Sequence, residues 1–491
     1  MQTGQTDRDA EQLRRFGYAQ QLLRDMGGFS NFAVSFSIIS ILTGAVTLYG
    51  HGLRFGGPWV MTVGWPLVSV MTLFVAASLA QLASAFPTAG ALYHWSAMLG
   101  GPSWGFLTAW LNVIGQFAIT AGIDYGLAQF LAALLGWSGE DRPKVLGLYA
   151  AILMSHAVLN HVGVRVVAKL NDFSAWYHIG GVVLLVGALA WLAPKQDLGF
   201  LATRFTREEV PYFYGFLIGL LQAQWTFTGY DASAHVTEET KDPGRNAPWG
   251  IFLSVAVSAV VGYVMLLAVT LAIQDLPAVA SIAVDNPFIA ILTGALGERL
   301  GNALVLVVMG AMWFCGLSSI TSNSRMLFAF ARDKGLPLSG QLAKVSPRFR
   351  TPHVAVWVSA LAAFVVAAWA EAYSAMVALS TLALYASYAV PIAVGFWARR
   401  TGRWTLRGPW DLGRFSHLVN VVALAWAAVV AVLFVLPPNE LAGYTFLGCL
   451  ALLAVYWFGY MRRRFEGPKV KLSAHPEPPA QGVAAVATGQ G

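Results

Sequence analysis

The chain of 491 residues is 57% hydrophobic and only 11% charged, against about a quarter charged in ordinary soluble domains. A soluble fold of this length could not cover its surface at that composition, so lipid must solvate much of it. The formal charge of +7 is carried by basic residues dispersed between apolar runs, which points to membrane orientation rather than to a nucleic-acid partner.

Residues 1–25 mix Arg8, Arg14, Arg15 and Arg24 with Asp7, Asp9, Glu11 and Asp25 before any apolar run. They read as a polar cytosolic arm, not a secretory signal. A membrane-crossing helix needs about 20 apolar residues. On that ruler, twelve spans follow at 28–50, 58–84, 102–135, 145–162, 173–193, 211–236, 247–273, 300–329, 353–370, 373–397, 415–436 and 441–461. The stretch 465–491, small and rich in Pro and Gly, is expected to be a disordered cytosolic tail. Cys315 and Cys449 lie inside apolar runs, and the chain has no CxxC or Cys/His cluster. No disulfide framework, metal site or cofactor is therefore indicated.

Charge placement tests the count. With the N-terminus inside, only Arg54, Arg142, Lys144, Lys195, Arg204, Arg207 and Arg299 of the 31 basic residues fall on the far side. The positive-inside rule favours this register, with both termini cytoplasmic in a plasma (inner) membrane.

Two spans do not read as ordinary helices. Span 1 contains Ser35-Phe36-Ser37-Ile38-Ile39-Ser40-Ile41-Leu42-Thr43-Gly44, rich in β-branched residues and hydroxyls. Span 6 contains Gln222-Ala223-Gln224-Trp225-Thr226-Phe227-Thr228-Gly229-Tyr230-Asp231, dense in polar groups at mid-membrane depth. Each reads as an interrupted helix, whose freed amides and carbonyls are tolerable only where they line a cavity. Half-helix N-termini would then meet a carboxylate, and freed carbonyls an ammonium, so a zwitterion fits without a dedicated charged side chain. The alternative is that Gly44 and Gly229 only permit close packing, while the hydroxyls bond their own i−4 carbonyls.

Four motifs in order carry a family resemblance, over about Asp25 to Arg464. They are SFSIISILTG in span 1, FPTAGALYHW (86–95), FTGYDASAHVTEETKDPGRNAPWG (227–250) and SNSRMLFAFARDKGLPLSGQLAKVSPRFRTPHVAV (322–356). The chain resembles the amino acid–polyamine–organocation superfamily, and within it the amino acid/choline transporter family. The resemblance implies an all-α integral membrane fold of the leucine-transporter type. Twelve transmembrane helices would form a five-plus-five inverted repeat (about 28–193 and 211–397) with broken helices 1 and 6 and two extra helices (about 415–461). It also implies secondary active transport, commonly proton-coupled. One departure is that span 1 has Ser40 and Leu42 where many relatives carry Gly-x-Gly.

Substrate contacts are expected from Ser37, Ile39, Ser40, Thr43 and Gly44 in span 1, from Gln116 in span 3, and from backbone at Phe227, Thr228 and Gly229. By resemblance, Trp225 is an occluding lid whose flat ring excludes water; the plain reading is a packed Trp. Asp231 is expected to cap the second half-helix, with amine binding or proton carriage as alternatives. His178 stands in span 5 where many relatives place a lysine. It is read as the proton-coupling group, or as a neutral imidazole bonding across helices. Ser318, Ser319 and Thr321 offer oxygens for a cation, or serve as interhelical glue. Asp124 attracts an amine, gates an outer vestibule, or bonds between helices. Arg332, Asp333 and Lys334 form a latch with Glu238 and Glu239, or a solvated charge run. His156, His235, Trp313 and Tyr385 take no assignment.

The leading function is a proton-coupled permease for amino acids or related amines (neutral amino acids, γ-aminobutyrate-like or choline-like solutes), working by alternating access and not an enzyme. A sodium-coupled symporter and a non-transporting nutrient-sensing receptor are the alternatives. The oligomeric state is left open.

Overall fold

A computed structural model describes residues 2–137, 141–207, 209–284, 286–369 and 373–469. The described residues build helices throughout, apart from a two-residue bridge between Met26 and Thr240. Apolar runs with no competing turn chemistry leave helix as the backbone's only self-satisfied state in lipid. Among the described residues, ten helical stretches are long and apolar enough to cross a membrane, and His353–Trp369 is a shorter apolar one.

The chain begins with α1 (Gln2–Arg15), then the interrupted run α2 (Gly28–Ile39), α3 (Gly44–Thr47) and α4 (Tyr49–Gly56). A π-helical turn at Val60–Gly64 leads into α5 (Trp65–Ala85), followed by α6 (Leu92–Gly100) and α7 (Pro102–Leu134). Next come α8 (Arg142–Val162) and α9 (Val164–Leu192). The second interrupted run is α10 (Tyr212–Gly219), α11 (Leu221–Thr226) and α12 (Ala232–His235). After it stand α13 (Pro243–Leu271), the short α14 (Leu276–Val279) and α15 (Pro287–Leu296), and α16 (Glu298–Arg332). The rest is α17 (Ser339–Leu342), α18 (His353–Trp369), α19 (Tyr373–Arg400), α20 (Ser416–Leu433) and α21 (Glu440–Gly459).

At the centre, α7 packs along α19, α6 and α16, while α2 lies against α13, α9 and α16. Helices α20 and α21 pack on the outside, and α21 keeps most of its surface exposed, as a lipid-facing helix should.

Three boundaries differ from the sequence reading. Helix α9 starts at Val164, so Arg165 and Lys169, expected in a loop, sit on its first turns; Gly163 (φ +147) makes the whole turn from α8. Charged residues outside the apolar window do not stop a helix whose hydrogen bonds they leave intact. The expected polar arm is docked: Leu13, Phe16, Tyr18 and Leu22 are buried in the core. Phe465, placed at the head of the disordered tail, is also buried, against Tyr93, Phe106 and Phe330. From residue 470 onward that tail lies outside the described residues.

Gly229 (φ +81) gives a direct test of the packing, since a Cβ there would stand 2.3 Å from Ile38 Cγ2. Gly229→Ala combines a left-handed conformation, at about 1–2 kcal/mol, with overpacking, at about 1–3 kcal/mol. Its melting temperature in detergent should fall clearly below that of a control variant, Gly294→Ala, whose added Cβ meets nothing within 4 Å.

Candidate functional site

Helix α2 ends where Ser40 enters the left-handed region (φ +32), and the chain turns through Thr43 before α3. Helix α11 ends at Thr226, and Phe227 to Asp231 run non-helically into α12. The two interruptions abut: a Cβ on Gly44 would lie 2.6 Å from Thr226 Oγ1. Among the described residues, the amides of Ile41, Leu42, Thr228, Tyr230 and Asp231 bond to no other backbone group.

Other freed groups find side-chain partners. Tyr385 donates to Phe227 O (3.2 Å), and Gly229 N donates to the Tyr388 hydroxyl (3.1 Å). Ser35 Oγ donates to Tyr230 O (2.8 Å) and accepts from Ser233 N (2.9 Å), tying α2 to α12. Asn31 Nδ2 adds a bond to Ser233 O at 2.9 Å. Each satisfied group avoids the cost of an orphaned buried dipole.

The expected cap at Asp231 is absent, since its side chain makes no bond to an α12 amide. The carboxylate accepts instead from Tyr388 (2.8 Å) and Asn112 (3.1 Å), and faces His235 Nε2 at 3.2 Å. Three side chains from α19, α7 and α12 converge on it and outcompete a one-turn helix start. Both nitrogens of His235 face acceptors, the other being Ala89 O at 3.1 Å.

Near the first break, Ser37 Oγ bonds Ser174 Oγ (2.7 Å), and Ile39 is the buried last residue of α2. Ser40 Oγ meets both Thr43 Oγ1 (2.5 Å) and His178 Nε2 (2.7 Å). His178 Nδ1 lies 2.8 Å from Ser174 O, a pure acceptor, so Nδ1 carries the hydrogen. Thr228 Oγ1 donates to Trp225 O at 2.5 Å, and Phe227 packs on Trp65 at 4.7 Å. Gln116 gives its amide to Ser322 Oγ at 3.2 Å rather than to either break.

Trp225 is buried between Gly122 of α7 and Ser380 of α19, which accepts from Nε1 at 3.1 Å. Beyond it, Tyr373 bonds Gly122 O (2.9 Å) and lines a cavity of about 680 Å³ with Thr47, His51, Tyr125, Gln129 and Asn286. This vestibule opens at the end of the molecule opposite the N-terminal arm.

The three span 8 hydroxyls do not converge on a cation. Ser318 donates to Asn171 Oδ1 (2.7 Å) on α9, Ser319 meets Thr120 (2.6 Å) on α7, and Thr321 donates to Asn160 Oδ1 (2.8 Å) on α8. Successive helical positions turn by about 100°, which sends them to three neighbours.

At the arm's end the charges form a buried latch, not a solvated run. Arg325 forks onto Glu239 (2.9 and 3.1 Å) with both side chains fully buried, and also reaches Asn160 and Ser324. Arg332 forks onto Glu238 (2.8 and 2.9 Å) and stacks on the Tyr18 ring at 3.9 Å. Asp333 Oδ2 takes Tyr18 (2.7 Å) and Tyr93 (2.9 Å), with His94 Nε2 at 3.1 Å. The arm is part of this closure: Arg24 donates to Thr237 O and Thr240 O, and Gln20 to Glu238 O. Burial alone would raise the Glu238 carboxyl, but Arg332, His94 and the Ala89 amide outweigh it and hold it low. For Asp333, burial is likewise outweighed, by His94, Tyr18 and Arg332. Lys334 stands outside this set.

From the sequence, Tyr385 is named but unassigned, and Asn112, Tyr388 and Tyr18 are not singled out. The tyrosines 385 and 388 carry a visible signal, two hydroxyls at i, i+3 on one helix face in an apolar span.

The amino acid permease family profile matches residues 27–459. The chain is 38% identical to the amino-acid permease BAT1 of Arabidopsis thaliana, over 93% of this chain and 95% of the relative. It is also 38% identical to the homologue of that permease in Oryza sativa, over 96% and 97%. An uncharacterised amino-acid permease of Schizosaccharomyces pombe is 30% identical, over 95% and 91%.

Glu239→Gln leaves the Arg325 charge buried and unpaired, at a cost of about 3–5 kcal/mol, read as a lowered unfolding midpoint. Arg325→Met combined with Glu239→Leu should recover most of it. Because Glu238 and Asp333 titrate lower folded than unfolded, their stabilisation is complete above the ordinary carboxylate range, about pH 4–4.5. It is lost as pH falls through the depressed values. Protease protection of the arm should therefore hold at neutral pH and fail on acidification, and Glu238→Gln should weaken that dependence.

Proposed function

The chain belongs to the amino acid permease family, and from that premise we propose that it carries amino acids or related amines by proton-coupled alternating access. The carrying observation is the pair of abutting interruptions, with the amides of Ile41, Leu42, Thr228, Tyr230 and Asp231 unpaired to other backbone among the described residues. Amides at half-helix starts receive a carboxylate, and carbonyls left at half-helix ends receive an ammonium. Asp231 is already saturated by its three partners, which favours a zwitterion over a polyamine.

Counting the interrupted stretch α10–α12 and the 17-residue α18 with the ten long stretches gives twelve spans. In the five-plus-five reading, each repeat opens on its broken helix. The latch end is cytoplasmic, the vestibule faces outward, and the protein sits in the plasma (inner) membrane. Substrate then enters past Tyr373, docks at the breaks with Ser37, Ile39, Ser40, Thr43, Gly44 and Phe227 to Gly229 around it, and is covered by Trp225. Release requires the Arg325–Glu239 and Arg332–Glu238 pairs to part.

His178 is the coupling group at the first break. While neutral, its Nε2 accepts from Ser40; once protonated, it must donate, and Ser40 turns its hydrogen toward Thr43. Protonation thus reverses the hydrogen-bond direction where α2 ends. The scatter of Ser318, Ser319 and Thr321 over three helices supports protons over sodium.

The test is purified protein in liposomes, offered radiolabelled amino acids, γ-aminobutyrate and choline under separate gradients. An inward proton gradient should drive accumulation of about tenfold per pH unit for one proton per substrate, and a sodium gradient at constant pH none. His178→Gln should retain counterflow and flatten the pH dependence. Sodium-driven uptake would overturn the coupling, and binding without counterflow would identify a receptor.

A further inference from the structure

A second buried ionisable pair lies apart from the breaks. Asp124 Oδ2 on α7 and His156 Nδ1 on α8 meet at 3.1 Å, both fully buried. Their other polar atoms, Asp124 Oδ1 and His156 Nε2, have no hydrogen-bond partner among the described residues. A structural tie between α8 and its neighbours needs no ionisable groups. One turn on, Asn160 makes such ties to Thr321 and to Leu317 O with all its polar atoms used. Ionisable groups at membrane depth with spare valence mark a path for charge.

The pair is linked to the vestibule along α8 and to the first break through α16. On α8, Val145 lines the vestibule, and Tyr149, Ile152 and His156 follow at helical spacing on the same buried face. The Tyr149 hydroxyl has no partner among the described residues, and its ring meets Tyr125, another vestibule residue, edge-on at 5.7 Å. On the other side, a Cβ at Gly316 would stand 1.8 Å from Asp124 Oδ1 and 2.6 Å from His156 Cε1. The α16 backbone therefore runs against the pair. The preceding residue, Cys315, donates its thiol to Ile38 O (3.2 Å) in the last turn of α2.

We propose that Asp124 and His156 form a proton-loading site, filled from the vestibule by way of Tyr149, that hands its proton on toward the first break, where His178 couples it. The proposal rests on the proton-coupled reading above. Loading breaks an O–H bond of a vestibule hydronium, which leaves as water. It forms an N–H bond at His156 or an O–H bond at Asp124, and takes the pair's charge from −1 to 0. Tyr149 relays by accepting one proton as it passes on its own. The titratable groups that interact with the pair are Tyr149 on α8 and Cys315 on α16; behind Tyr149 stand Tyr125 on α7 and Phe364 on α18, and Tyr373 on α19 packs on Tyr125. None of these is a cation, so the proton itself supplies the balancing charge. His178 differs in having both ring nitrogens occupied.

The test uses the full chain in liposomes with radiolabelled alanine and γ-aminobutyrate. Counterflow at equal pH is compared with accumulation under an imposed proton gradient. Asp124→Asn and His156→Gln should keep counterflow and lose the roughly tenfold accumulation per pH unit. Wild-type accumulation in both variants overturns the proposal while leaving proton coupling in place. Absence of proton-driven accumulation in the wild type removes coupling and proposal together. If Asp124→Asn loses counterflow as well, Asp124→Glu decides. A retained carboxyl in altered surroundings should keep the drive with a shifted pH profile, and an unshifted profile overturns the assignment.

Discussion

A peptide group in hydrocarbon must have a partner, and this constraint organises the molecule. Two helices stop in the middle of the apolar layer, and the resulting loose ends are met by named side chains. Tyr385 and Tyr388 of α19 hold Phe227 O and Gly229 N, and Ser35 and Asn31 of α2 hold the start of α12. The amides left over belong to the two breaks, which approach each other at Gly44 and Thr226. The sheltering elements are themselves uninterrupted: α7, α16 and α19 are among the longest helices of the chain. Continuous helices thus frame two short non-helical breaks.

The second break and the latch belong to one continuous stretch. From Asp231, a single turn of helix leads to His235, and Glu238 and Glu239 follow directly. Asp231 is gripped by α7 and α19, His235 by Ala89, and the two glutamates by α16. The break and the ion pairs at the arm's end therefore lie only a few residues apart along the chain. Toward the opposite end, Trp225 is tied to Ser380 and Tyr373 to Gly122 O, the latter on the wall of the vestibule. In an apolar surrounding, forked Arg–carboxylate pairs hold firmly when matched and are costly when parted.

Much of the architecture is legible in the sequence because membrane helices announce themselves by length and apolarity, and polar residues at mid-span betray a break. Ser40, Gly44, Thr228 and Gly229 stand out on that signal. The partners that satisfy the breaks are harder to see, since Tyr385, Tyr388 and Asn112 come from helices distant in sequence. Asp231 misleads because Asp before a helix ordinarily caps it, and no local rule reveals that three other side chains will compete. The arm misleads for a related reason. Its composition is that of a solvated segment, yet Leu13, Phe16, Tyr18 and Leu22 suffice to seat it once a complementary surface exists. Hydroxyls at 318, 319 and 321 look like a cluster in sequence and are dispersed by helical rotation.

That seating has an implication for how the chain is made. Tyr18 and Asp333, which meet in the closure, are 315 positions apart, so the arm can dock only after the intervening helices up to α16 have been made. Until α16 is inserted, the nascent protein has no seal on that side. Docking of the arm therefore requires α6 and α16 to bring Tyr93, His94 and Asp333 to the same side of the bundle.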